Sequence, residues 1–270
     1  MAEVRPKALV TGASAGLGAE FARQLAARGF DLVLVARRRE RLEALAVELQ
    51  RQHKVQADTL VADLIQEDAL KVVEDYIARA ADLEFLVNNA GFGVAAPFCR
   101  SDLGPQEAMH RLHVMATLRL THAALRAMVA RKKGAIINVS SLAAFAPRSG
   151  NTSYYASKAW MNCFTEGIYL ELKSARSPVR VQALCPGFTY TEFHDVMGVD
   201  RKVVPKSLWM SAEDVVAASL KGLDQGKLFV VPGWQYKLLW VLLRILPRPV
   251  LHFATNQSRM SWAGPQRPTR

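Results

Sequence analysis

Short apolar runs rich in β-branched residues alternate along this chain with longer segments of helical period, and that alternation restricts the fold more than any other feature. The runs are Ala8–Val10, Leu32–Val35, Asp58–Val61, Phe85–Val87, Ala135–Val139, Arg180–Leu184 and Leu228–Val231. Between them lie helix candidates at Ala19–Arg28, Arg39–Gln50, Gln66–Ala80, Gln106–Ala130, Tyr154–Lys173 and Ser211–Leu223. Strands that are apolar on both faces need cover on both faces, and helices between parallel strands provide it. Right-handed crossovers then predict an α/β fold built on a doubly wound parallel sheet.

Length agrees with a single unit. At 270 residues, without internal repeats or a low-complexity linker, the chain is expected to form one domain over residues 1–231. A basic, apolar extension, residues 232–270, follows it. The 3 Cys stand at scattered spacings without a CxxC pair, which points away from a disulfide framework and toward a reducing, cytoplasmic setting. Of the formal net charge of +11, residues 231–270 contribute +6 and hold no Asp or Glu. No nucleic-acid-reading motif accompanies that charge, so a nucleic-acid partner is not expected. The polar start and the early glycine loop argue against a secretory signal.

The first run is followed at once by Thr11-Gly12-Ala13-Ser14-Ala15-Gly16-Leu17-Gly18, which opens a helix. Glycines allow a sharp turn and close approach to a pyrophosphate, which the free amides and dipole of a helix N-terminus favour. A plain turn-and-cap explains such a loop only outside this strand-to-helix context. A NAD enzyme places Asp or Glu at the end of the second strand, whereas this chain has Ala36-Arg37-Arg38-Arg39. Arg37 is expected to clamp a 2′-phosphate, which favours NADP(H); the competing reading is a solvated helix start. Asp63, after the third run, is placed to accept from an adenine amino group or to cap a helix.

Tyr154 and Lys158 stand four residues apart on a predicted helix and so share one face. A phenol of pKa about 10 is a poor proton-transfer group at neutral pH, and an adjacent ammonium is expected to lower it. Ser141 ends the fifth run, at the sheet edge where open parallel sheets bind ligands, and its hydroxyl can hold a substrate oxygen.

The glycine loop at 11–18, Asn88-Asn89-Ala90-Gly91, Ser141, Tyr154-x-x-x-Lys158 and Pro186-Gly187 follow the order and spacing of the classical short-chain dehydrogenases/reductases, and about residues 7–231 resemble that family, in particular its ketoacyl and hydroxysteroid reductase branch. The resemblance implies a Rossmann-like fold and hydride transfer between NADP(H) and a carbonyl or alcohol. It makes Ser141 the oxygen stabiliser, Tyr154 the acid–base, and Lys158 the group that binds the nicotinamide ribose and tunes Tyr154. Gly12, Ser14, Gly16, Leu17, Gly18, Asn89 and Gly91 would bind the adenosine and phosphate side, and Pro186, Gly187, Thr189 and Thr191 would wrap the nicotinamide. It also implies a homo-oligomer, dimer or tetramer. The family usually has an Asn where this chain has His113. A neutral His113 either holds the relay water, supplies the relay itself, or is a satisfied helix histidine.

Residues 188–210 form an irregular substrate loop carrying Phe188, Tyr190, Phe193, Met197, Trp209 and Met210. Those side chains suggest a bulky apolar ketone or aldehyde, unless they only close the core. In the extension, residues 237–249 set Trp and Leu between basic residues but fall far short of the ~18 needed to span a bilayer. A peripheral membrane contact fits them, and so does a helix packed on the loop or on another subunit.

Overall fold

The computed structural model describes residues 5–193 and 204–255. Within them, seven parallel strands form one sheet in the order β3-β2-β1-β4-β5-β6-β7. They are β1 Lys7–Thr11, β2 Asp31–Ala36, β3 Ala57–Val61, β4 Leu83–Asn88, β5 Ala135–Val139, β6 Arg180–Leu184 and β7 Phe229–Val230. The helices are α1 Gly16–Ala27, α2 Arg39–His53, α3 Glu67–Arg79, α4 Leu103–His110, α5 Thr117–Arg131, α6 Thr152–Ser174, α7 Ala212–Asp224, α8 Trp234–Ile245 and α9 Arg248–Thr255. The expected doubly wound sheet is therefore the fold.

Alternation along each strand builds the layers. In β1, Ala8 and Val10 face a cluster with Phe21 and Leu25 of α1, Leu42 and Leu49 of α2, and Val215 and Leu220 of α7. Leu9, between them, faces the opposite cluster with Val73 and Ile77 of α3, Leu120 and Met128 of α5, and Ile168 and Leu172 of α6. A strand whose neighbouring side chains serve two cores has to be apolar throughout. β3 is the exception, because at the sheet edge it leaves Asp58 and Val61 exposed.

The chain reverses its direction of winding between β3 and β4, which places β1 and β4 side by side. A crevice opens at their carboxyl ends, where such folds bind ligands. Thr11 fastens the two tips together. Its Oγ1 accepts from the backbone N–H of Asn89 and of Ala90, both at 3.0 Å, and donates to Val87 O. One hydroxyl thus uses its donor and both acceptor sites.

The segment expected as one helix over Gln106–Ala130 is instead interrupted by a π-helical turn at Arg111–Ala116. Such a turn accommodates an extra residue and redirects the side chains within it. At this point it carries His113 fully into the interior, where tertiary hydrogen bonds meet it.

Replacing Thr11 by the isosteric Val leaves the half-buried amides of Asn89 and Ala90 without this partner. Urea unfolding should show a loss of roughly 1–3 kcal/mol. An unchanged midpoint would show that the tips are held by something else.

Candidate active site

A cleft of about 370 Å³ runs across the carboxyl ends of β1, β2, β4, β5 and β6. It brings together Gly12, Ser14, Gly16, Leu17, Arg37, Asp63, Asn89, Gly91, Ser141, Tyr154, Lys158, Pro186, Gly187, Thr189 and Thr191. Of the site residues expected from the sequence, Gly18 and His113 do not line it. Gly18 lies beneath, where a Cβ would stand 2.2 Å from Gly12 O. His113 lies behind, where a Cβ on Gly91 would meet its Nε2 at 2.6 Å.

One end of the cleft is a cradle for a phosphate-bearing ligand. Gly12 turns with φ +66°, in the left-handed region that favours glycine, and a Cβ there would collide with Asn89 and Ala90. Asn89 Nδ2 donates to Thr11 O at 2.9 Å, which fixes the loop. α1 then begins behind Ala15, whose side chain offers no cap. The first-turn amides of α1 remain available to an anion. These residues fit a dinucleotide.

At the adenosine end, two arginines line the cleft rather than one. Arg37 is largely exposed and lies 3.8 Å from Asp63. Arg38 is the better anchored: its Nε and Nη2 donate to Ser14 Oγ at 3.1 and 3.0 Å, and its Nη1 pairs with Glu192 at 2.8 Å. Three consecutive arginines signalled the charge, but only the direction of the chain leaving β2 selects Arg38. Asp63 Oδ1 accepts from Ile65 N–H, so the carboxylate also shapes its own turn.

At the other end, β5 delivers Ser141 and α6 delivers Tyr154 and Lys158. Ser141 Oγ accepts from Ala143 N–H at 3.1 Å and shares a hydrogen bond with the Tyr154 phenol. Burial pushes the phenol up to about 12, and the bond to Ser141 pulls the other way. Lys158 is buried, donates to Val139 O at 2.8 Å, and is brought down to about 7 by desolvation. Its Nζ stands 5.9 Å from the centre of the Tyr154 ring. The lowered phenol expected from an adjacent ammonium is therefore not what these surroundings produce. Desolvation is the largest cause at both groups. The phenol is held protonated at neutral pH, which is the state of a proton donor.

Both ring nitrogens of His113 have protein partners. Nε2 accepts from Phe92 N–H at 3.2 Å, and Nδ1 lies 2.9 Å from Ser157 Oγ. Ser157 donates its own proton to Tyr154 O, so Nδ1 carries the proton of a neutral ring. Burial first, then Lys158 and His110, hold this imidazole well below its ordinary pKa.

The substrate loop is tied down at its base. Tyr190 N–H donates to Met210 O, and Met210 N–H to Phe188 O. Tyr236 of α8, a residue outside every motif, accepts from Phe188 N–H at 3.0 Å and donates to Leu208 O. Its ring lies against Gly187 so closely that a Cβ there would stand 2.2 Å from Cζ. Trp209 packs on Phe188 and Tyr190, while Phe193 reaches the cleft at 5.8 Å from the Tyr154 ring. Most of the loop's described aromatic surface thus holds the base. Phe193, Phe92 and Leu112 make the cleft apolar near Tyr154. Met197 lies outside the described residues.

Comparison with known proteins agrees with this geometry. The sequence pattern of the short chain dehydrogenase family matches residues 6–201, and the chain belongs to that family of oxidoreductases. It is 35% identical to a short-chain dehydrogenase from Sphingobium yanoikuyae solved in complex with NADPH, with 95% of this chain and 99% of that one covered at TM-score 0.82. It is 32% identical to a bulky-bulky ketone specific alcohol dehydrogenase from Comamonas testosteroni, over 95% and 97% of the two chains at TM-score 0.79. Hydroxysteroid dehydrogenase-like protein 1 of Gallus gallus is 30% identical over 245 residues, 89% of this chain and 72% of that relative.

The state of His113 has a measurable sign. Its native pKa is depressed, so the unfolded chain binds the extra proton first as pH falls below about 6.5. Stability should then be lost on acidification, at up to about 1.4 kcal/mol per pH unit from this group. Urea titrations from pH 7 to 5 should fall more steeply for the wild type than for His113→Asn. Parallel slopes would show that the ring is not held neutral.

Proposed function

We propose that the protein is an NADP(H)-dependent oxidoreductase that reduces a bulky apolar ketone or aldehyde, or oxidises the corresponding alcohol. The observation that carries this reading is that Ser141, Tyr154 and buried Lys158 line the same cleft as the glycine cradle. When bound, the reduced nicotinamide supplies the hydride. Ser141 holds the carbonyl oxygen of the substrate, and the Tyr154 hydroxyl gives that oxygen its proton. Lys158 would bind the nicotinamide ribose beside Tyr154. Pro186, Gly187, Thr189 and Thr191 would wrap the nicotinamide side, and Gly12 to Leu17 with Asn89, Gly91 and Asp63 would bind the rest, Gly18 letting the loop close beneath them.

His113 is assigned a positioning role. With both nitrogens committed to Phe92 and Ser157, it ties the strand end after β4 to the helix that bears Tyr154. NADP(H) preference is assigned to Arg38 with Ser14, and Arg37, exposed at the edge of the same cleft, would add its charge there. A guanidinium that grips the Glu192 carboxylate offers the same planar fork to a phosphate. The Phe193, Phe92 and Leu112 wall supports an apolar substrate, and the ketone named for the Comamonas relative is bulky on both sides. Exposed Met115, Leu118 and Leu170 on the long helical segments support self-association.

The test is NADPH and NADH oxidation against ketones of graded size. Turnover with NADPH should rise with substrate bulk, and Tyr154→Phe should lose on the order of 10²–10⁴-fold. Arg38→Ala should raise KM for NADPH about 10–100-fold, the loss expected for a charge-assisted contact, and leave NADH nearly unchanged. Equal use of both cofactors by the wild type would remove the phosphate-clamp assignment. Tight NADPH binding without turnover across the panel would favour a cofactor-sensing or scaffolding protein.

A further inference from the structure

Helix α8 has two dissimilar sides. Tyr236, Trp240 and Leu243, spaced at helical period, face the domain and pack with Phe145, Phe188 and Leu208. The other side is apolar as well, yet open to solvent: Trp234 is 72% exposed, Leu238 56% and Ile245 68%, with Val241 and Leu242 between them. In α9, Val250 is exposed as well. By helical spacing Lys237 and Arg244 border the face on α8, Arg248 opens α9, and no Asp or Glu occurs anywhere after Asp224. Among the described residues, no helix is long and apolar enough to cross a membrane.

We infer that this face of α8 and α9 docks the protein on the surface of an anionic lipid bilayer. Charge decides the occupant. A two-fold contact between copies would bring the same cations against one another, with no carboxylate of this segment to relieve them. An anionic interface accepts the apolar stripe among its acyl chains and the cations among its headgroups. Binding would be peripheral and weakened by salt. The inner side of the same helix, through Tyr236, holds both Phe188 and Leu208 at the base of the substrate loop. A surface that holds α8 thus lies next to an anchor of that loop. The docking itself does not rest on the proposed reaction.

The full chain would be sedimented with sucrose-loaded vesicles of phosphatidylcholine alone and of phosphatidylcholine mixed with phosphatidylglycerol. Partitioning should be at least about 10-fold higher on the anionic vesicles and fall as salt rises, with about a five-fold loss for each cation removed. Leu238→Ser/Ile245→Ser and Lys237→Glu/Arg244→Glu should each abolish it. Circular dichroism melting would show that both variants are folded: Lys237, Leu238 and Ile245 are exposed, and Arg244, also exposed, gives up only its contact over the Trp240 ring at 5.1 Å. No partitioning by the wild type, or equal partitioning by wild type and folded variants, would overturn the inference. So would light scattering that shows an oligomer dissociated by Leu238→Ser/Ile245→Ser without vesicle binding, because the face would then join two copies.

Discussion

Everything at the site depends on the close approach of the tips of β1 and β4. Only glycine can occupy positions 12 and 18, because a side chain there would run into Asn89 or into the loop's own backbone. Thr11 and Asn89 turn that proximity into hydrogen bonds, so the turn is fixed before any ligand arrives. The winding order puts these two strands together, and the same reversal opens the crevice between their ends. Cradle and fold are one constraint.

From that fixed edge the chemistry is arranged by burial. Desolvation raises the Tyr154 phenol, which stays protonated, and lowers the Lys158 ammonium, which loses the full charge it would carry in water. A carbonyl oxygen seated at Ser141 would therefore meet a protonated phenol beside a group poised near neutrality. The neutral His113 ring braces this arrangement from behind, joining the backbone at Phe92 to α6 through Ser157. Buried polar groups linked in this way specify one geometry, since each lost partner leaves another unpaired. Tyr236 performs the same service for the loop, from a helix that follows the last strand.

Much of this was legible in the amino-acid order. Ala8–Val10 and Ala135–Val139 are apolar on both faces, and burial on both faces leaves that mark. The glycine loop, Ser141, Tyr154 and Lys158 were legible because local geometry demands those residue types at those spacings. Other features were hidden because tertiary contacts decide them. The π-helical turn exists because His113 finds partners on two other elements, and nothing in Arg111–Ala116 announces it. Arg37 and Arg38 are indistinguishable as letters, and only the chain's direction after β2 aims Arg38 at Ser14. Tyr236 looks like any aromatic residue in an apolar tail. The loop's aromatic content read as a substrate surface, yet Phe188 and Trp209 pack against each other at its base.

The central claim, that the Ser141–Tyr154 pair stands where hydride meets a carbonyl, is tested most directly by following the hydrogen itself. Single-turnover reaction of NADPH carrying deuterium at both hydrogens of the nicotinamide C4 with a bulky ketone, read by mass spectrometry, traces its destination. The account predicts deuterium on the carbinol carbon of the product and none on its hydroxyl. It also predicts that Ser141→Ala binds the cofactor as tightly but transfers far more slowly. Product formed without deuterium at that carbon, or transfer unaffected by the loss of the Ser141 hydroxyl, would contradict it.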